Sequence, residues 1–164
     1  MRLHLLALLC VVVGCGSPNP VDSPDPAPAT PAADTIPFRK DGTLDFLRGA
    51  DTLLTLDIEI ADNDSSITRG MMQRESFPPM SAMLFVFANE EPRGFWMANT
   101  PLPLDIMFAA ANGEIVHIAK YTKPLSPQTI ESAGLPAQFV VEVPAGFSDQ
   151  YGIIETDRIA WERE

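Results

Sequence analysis

Cysteine and histidine are scarce in this 164-residue chain, which holds two of each. Cys10, Cys15 and His4 lie at the N-terminal end, so the body of the chain carries His117 and no thiol. That argues against a disulfide framework, a zinc site built on clustered His and Cys, and a Cys–His nucleophile pair. Basic residues are also few, 11 Lys and Arg against 22 Asp and Glu, for a formal charge of −11. So acidic a surface speaks against nucleic acid and against electrostatic attachment to anionic lipid. The apolar run from Leu3 to Val13 is too short to span a bilayer. No internal repeat is present.

What that short run does suit is the core of a signal peptide, with Arg2 before it. The "VVGC" at Val12 to Cys15 resembles a bacterial lipobox, which implies residues 1–14 as signal peptide and Cys15 as a lipid-modified N-terminus. The competing reading is an ordinary secretory signal that contains a cysteine. Residues 15–37, rich in Pro, Ala, Ser and Asp, read as a linker with almost nothing to bury. Extended at about 3.1 Å per residue, it would let a domain stand up to roughly 65 Å from the lipid. Gly16 stands where an aspartate commonly retains lipoproteins at an inner membrane. The expected location is the cell envelope, on the periplasmic side of the outer membrane if the organism is Gram-negative.

Residues 38–164 are long enough for one domain with its own core. "LLTLDIEI" alternates, with Leu54, Leu56, Ile58 and Ile60 on one face, and reads as a half-buried strand. Asp64 to Ser66 can cap a short helix running to about Arg74, stopped by Phe77-Pro78-Pro79. "MLFVF", Met83 to Phe87, is apolar on both faces and reads as a central strand. "NEEPRG" reads as a turn, and strands are expected over Phe95–Ala98 and Leu104–Ala109. Asn112-Gly113 is the strongest hairpin signal. As a two-residue loop it pairs Phe108 with His117 and Asp105 with Lys120. After a Pro-rich loop from Lys123 to Pro136, strands follow over Gln138–Val143 and Thr156–Trp161, with one helical turn closed by Gly152 between them. The expected fold is mainly β, a small β-sandwich, jelly-roll-like or open barrel with one or two short helices.

Arg69-Gly70-Met71-Met72, "MLFVF", "FWMANT", "PLDIMF", "VVEVPAG" and the segment Gly152 to Ile159, in this order, closely resemble domain-of-unknown-function family 192 of bacteria and archaea. The resemblance covers roughly Leu53 to Ile159. It implies a compact, mainly β domain, commonly exported or lipid-anchored, and no established activity. Three residues depart from the family's usual pattern. Ala98 stands in place of a lysine, Ala82 in place of a glycine, and Thr156 in place of a glycine before the aspartate. The first weakens any mechanism needing a cation beside Asn99. The other two suggest altered turn geometry.

Asp105, flanked by Leu104 and Ile106, should be paired if buried, because an isolated buried carboxylate costs several kcal/mol. Lys120 across the hairpin, Arg69 from the helix, and donors in the Asn99-Thr100 turn are its candidate partners. A structural brace is favoured over a ligand contact. Gly70 within a helix costs about 1 kcal/mol unless something approaches it closely, and Arg69 beside it suits an anion. Trp96 with Asn99 would offer a stacking surface beside an amide, although alternation puts them on opposite faces unless a bulge intervenes. Six of the seven methionines fall between residues 71 and 107. Thioethers can hold Cu(I), but this spread over several elements favours core filling. Glu142 and Asp105 could form a carboxylate pair with His117 as a base, yet no catalytic set is complete and catalytic residues stay unassigned.

The reading that results is an acidic envelope lipoprotein held to the membrane by lipid on Cys15. It would bind a small molecule, or serve an envelope-protein partner, through Arg69, Trp96, Asn99 and Asp105. Nothing in the residues asks for a metal or a cofactor. The alternatives are a carboxylate-dependent hydrolase or lyase acting on a small envelope substrate, and a purely structural or protein-interaction domain.

Overall fold

The computed structural model describes residues 36–164. The expected signal peptide, Cys15 and nearly all of the linker lie outside the described residues. Seven strands and two short helices follow in the order β1 (Gly42–Arg48), β2 (Asp51–Ala61), α1 (Asp64–Arg69), β3 (Ser81–Trp96), β4 (Leu104–Ala109), β5 (Ile115–Ala119), β6 (Thr129–Pro144), α2 (Phe147–Tyr151) and β7 (Arg158–Arg163). They form one sheet ordered β5-β4-β6-β3-β2-β1-β7, with β2 and β3 parallel and the other pairs antiparallel. The sheet curls until its two ends meet at one corner. There Ile115 N donates to Asp157 O at 2.8 Å, Thr156 N to Ile115 O at 2.9 Å, and Ile159 N to Gly113 O at 2.8 Å. Gly113, at φ 85°, is needed at this closure, because a Cβ would lie 2.4 Å from Ile159 O. Of the expected fold classes, the protein takes the open-barrel form, mainly β with two short helices.

Alternation builds the inner face. Leu44 and Phe46 of β1, Leu56, Ile58 and Ile60 of β2, Leu84 of β3, Val141 and Val143 of β6, and Ile159 of β7 pack into one cluster. Phe147 of α2 closes its mouth, 6.1 Å from the ring of Phe46. Each such side chain contributes about 1.5–3 kcal/mol by leaving water. The outer face is covered as well. Met83, Phe85, Ile106, Phe108 and Val140 pack there against Met71 and Ile67 from the α1 segment and Met97 from the chain after β3. Both faces of β4 and of the first half of β3, residues 81–85, are therefore dry, which is why "MLF" and "IMF" are apolar without alternation.

The helix is shorter than expected. Asn63 caps it, accepting from Ser66 N at 3.0 Å while Ser66 Oγ accepts from Asn63 N at 3.1 Å. It stops at Gly70, whose φ of 47° no helix tolerates, well before the proline pair. "NEEPRG" is not a turn but the irregular middle of β3, with register shifts between Val86 and Glu91 and between Pro92 and Gly94. Opposite it, β6 begins at Thr129, inside the expected Pro-rich loop. β1 was not foreseen, although Leu44 and Phe46 alternate there with Thr43 and Asp45. It is a short strand whose two neighbours, β2 and β7, are far apart in the chain.

The hairpin register held through a different turn. Phe108 faces His117 as expected, but Ala110 N bonds Glu114 O at 2.9 Å, leaving Ala111, Asn112 and Gly113 as a three-residue loop. A register shift between Phe108 and Ala109 absorbs the extra residue. Two departures from a simple hairpin cancel.

Candidate functional site

Asp105 is fully buried and its four donors are none of those expected. Tyr121 N (2.9 Å) and Gly146 N (3.1 Å) donate to Oδ1, and Ser148 N (3.0 Å) and Ser148 Oγ (2.8 Å) donate to Oδ2. The Asp105–Lys120 ion pair does not form. Lys120 Nζ instead meets Asp149 at 2.7 Å, and Tyr121 Oη meets the same carboxylate at 2.7 Å. The physical reason is that three backbone amides, brought together where β5 ends and α2 begins, fill the acid's oxygens before any cation is needed. Asp105 is thus a brace joining the end of β5, the end of β6 and α2.

Asp105 also leaves the proposed cluster. It pairs with Val143, whose side chain lies on the inner face, whereas the neighbouring pair Ile106 and Glu142 faces outward. Arg69, Asn99 and Asp105 therefore do not share a site. Nor do Asp105 and Glu142 form a carboxylate pair, since adjacent strand positions point to opposite faces. His117 stacks on Phe108 with ring centroids 6.0 Å apart and meets Glu155 at 3.2 Å, away from either acid.

On the outer face, α1 and the end of β3 leave an open cavity of about 600 Å³. Phe85, Phe87, Phe95, Trp96, Met71 and Met72 supply apolar wall, Arg69 and Arg93 stand among its lining residues, and Glu142 contributes from β6. Glu142 lies between Met83 and Ile106 on the flanking strands. It is 4% exposed, and its Oε2 has no hydrogen-bond partner among the described residues. Burial without a counter-charge pushes its carboxyl up to about 8, so the acid is mainly neutral at pH 7 and has an O–H to donate.

The two arginines differ. Arg93 is engaged, its Nη1 on Glu91 at 2.6 Å, its Nε on Ala137 O at 3.1 Å and its guanidinium 4.0 Å over the Phe87 ring. Arg69 is exposed, and among the described residues its side chain makes no hydrogen bond or ion pair; its carbonyl accepts from Met72 N at 3.0 Å. Gly70 turns the chain beside it, and its close neighbour is Phe85, whose Cζ would lie 3.1 Å from a Cβ, rather than Trp96 or a ligand. Phe95 and Trp96 both line the cavity despite alternation, because β3 ends at Trp96. Phe95 packs edge-on against Phe85 at 4.9 Å, while Trp96 stays 56% exposed.

Asn99 lines a shallower neighbouring cleft together with Arg69, Met72 and Gln73, and its Nδ2 sits 3.8 Å from Met72 Sδ. The methionines divide between packing roles. Met71, Met83 and Met97 fill the outer core, Met107 the inner one, and Met80 is exposed. No group of three His, Cys, Asp or Glu side chains converges among the described residues. Sequence reasoning underrated Glu142, which in "QFVVEV" looks like a solvent-facing strand residue. The signal available was the apolar wall around it.

The family model described as Uncharacterized ACR, DUF192, matches residues 46–161. A solved structure of a candidate transcription regulator from Sinorhizobium meliloti 1021 is similar at 32% identity and TM-score 0.70, covering 74% of this chain and 93% of that one. A protein of unknown function from Novosphingobium aromaticivorans is similar at 25% identity and TM-score 0.68, covering 73% and 84%. No curated protein matches.

Proposed function

We propose that this chain, which belongs to the DUF192 family, binds a small amphipathic organic acid in the outer-face cavity. The observation that carries the reading is Glu142, a buried carboxyl with an unpartnered oxygen lining a cavity walled by aromatic and thioether side chains. Such a group is costly in an empty apolar setting and useful where a ligand atom meets it. The ligand's apolar body would lie among Phe85, Phe95, Met72 and Trp96. An inner carbonyl or hydroxyl would accept from Glu142, and its carboxylate would meet Arg69. A cavity of about 600 Å³ falls in the range of small-molecule sites.

The test is calorimetric titration with 4-oxo-4-phenylbutanoate, whose inner ketone can accept from Glu142, and with its amide. The acid should bind at least about tenfold more tightly than the amide, from one charge-assisted contact. Arg69→Gln should erase that preference, and Glu142→Leu should weaken both ligands. No saturable binding of either compound, or binding indifferent to both substitutions, would overturn the proposal.

The same protein is proposed to sit in the cell envelope, tethered through lipid on Cys15 and the Pro-rich segment after it. The lipobox-like "VVGC" supports this. Metabolic labelling with a fatty acid should mark the wild type and not Cys15→Ser. A protein left unlabelled and soluble on fractionation would remove the anchor.

A further inference from the structure

Behind Gly70 lies a second, smaller concavity of about 160 Å³, to which Arg39, Glu59, Arg69, Gly70 and Arg74 contribute. Arg74 is 3% exposed. Its Nη2 donates to both oxygens of Glu59, at 2.7 and 2.8 Å, and its guanidinium lies 5.5 Å from the centre of the Phe77 ring. Its Nε and Nη1 are buried and have no partner among the described residues. A guanidinium keeps its charge throughout, so these N–H groups still require acceptors.

The charges around the concavity do not cancel. Arg39 is matched by Asp41, which it holds at 2.6 and 2.7 Å, and Arg74 by Glu59. Arg69 has no such match and borders this concavity as well as the main cavity. On a chain of formal charge −11, a small hollow with an excess positive charge and buried free donors is a specific feature. Glu59 opposes an incoming anion, but both of its oxygens are already held by Arg74.

We propose that this hollow binds a small oxyanion of the phosphate type, to which the free N–H groups of Arg74 donate and over which Arg69 closes. The hollow has room for a few waters at about 30 Å³ each, enough for one such ion and too little for the aromatic ligand of the main cavity. The site stands apart from the organic-acid reading and shares with it Arg69 and the adjoining Gly70.

The experiment is titration of the purified protein with inorganic phosphate at constant ionic strength, chloride being the comparator, read by melting temperature and calorimetry. Phosphate should bind saturably and raise the melting temperature, and chloride should not. Arg74→Lys, which keeps a charge but loses the fork of donors, should abolish binding, and Arg69→Gln should weaken it at least tenfold. If Arg74→Lys does not fold, Arg69→Gln carries the test alone, because that side chain is exposed and has no hydrogen bond or ion pair to lose among the described residues. Glu142→Leu should leave phosphate binding intact while weakening 4-oxo-4-phenylbutanoate, so the two sites fail separately. Wild-type protein indifferent to phosphate, its buried donors served by water alone, would overturn the proposal. So would unchanged binding in Arg69→Gln.

Discussion

Replacing Asp105 by asparagine isolates the brace from any ion pair. Oδ1 accepts from Tyr121 N and Gly146 N, and Oδ2 from Ser148 N and Ser148 Oγ. An amide keeps one carbonyl oxygen, which can serve one of these two pairs. The other position becomes an NH2 that faces a backbone N–H, donor against donor, in a place with no exposure. The serine hydroxyl can rotate to accept, but Ser148 N cannot. One lost charge-assisted bond, one repulsive contact and one stranded buried donor together cost about 3 kcal/mol. At the roughly 4 °C per kcal/mol expected for a domain of this size, Asp105→Asn should lower Tm by about 12 °C. Urea unfolding followed by circular dichroism would give the free-energy change directly. Two comparisons sharpen it. Ser148→Ala removes the hydroxyl bond alone and should cost about 1 kcal/mol. Lys120→Met breaks an exposed pair with Asp149 and should leave the midpoint within error. A Tm change for Asp105→Asn below about 3 °C, less than 1 kcal/mol on that scale, or an equal loss in Lys120→Met, would refute the reasoning.

Glu142 makes stability pH-dependent with a definite sign. Its folded-state pKa, about 8, lies above its ordinary 4.5, so its contribution is complete below that lower value and is lost as pH rises toward 8. The whole span is worth up to about 5 kcal/mol, so wild-type Tm should fall between about pH 5 and 8 and level off above that, whereas Glu142→Gln should flatten that profile. A wild-type curve already flat there would count against a buried, unpaired acid. Thr156 is exposed and holds φ 82°, a conformation that suits glycine and strains a β-branched residue. Thr156→Gly should therefore raise stability by about 1 kcal/mol, after allowing for glycine's freedom in the unfolded chain. A lower Tm would contradict the strain. Gly70→Ala should cost about 2 kcal/mol, since φ 47° disfavours a side chain and the new Cβ presses Phe85 at 3.1 Å. Its 4-oxo-4-phenylbutanoate binding should weaken too, because Phe85 lines the cavity, and wild-type Tm with wild-type affinity would refute this.

Local pattern carried a good part of the fold. Leu54, Leu56, Ile58 and Ile60 lie on one face as their spacing demands, and Phe108 meets His117 as the Asn112-Gly113 signal demands. The departure at Thr156 from the family's glycine is visible in sequence, and the structure shows a turn that glycine would have relieved. The irregular β3 was less legible. Its stretch with Pro92 and the charged Glu90, Glu91 and Arg93 looked like a turn because propensity is local, while the pairing partner that overrides it, β6, lies some forty residues on.

Side-chain roles divided along the same line. A sequence names an acid among apolar neighbours and so announces that Asp105 needs partners. It does not name them, because every residue carries a backbone N–H and only the fold brings those of Tyr121, Gly146 and Ser148 to one point. Glu142 shows the converse. In a strand covered on one face it would be an ordinary surface residue, and it becomes a buried acid because α1 and the end of β3 cover the second face. Composition and alternation determined by themselves that this would be an acidic, mainly β domain with an apolar centre, since both depend on near neighbours. Which carboxylate would brace the fold and which would line a cavity was decided by tertiary structure alone, because desolvation depends on what the whole chain packs above a residue.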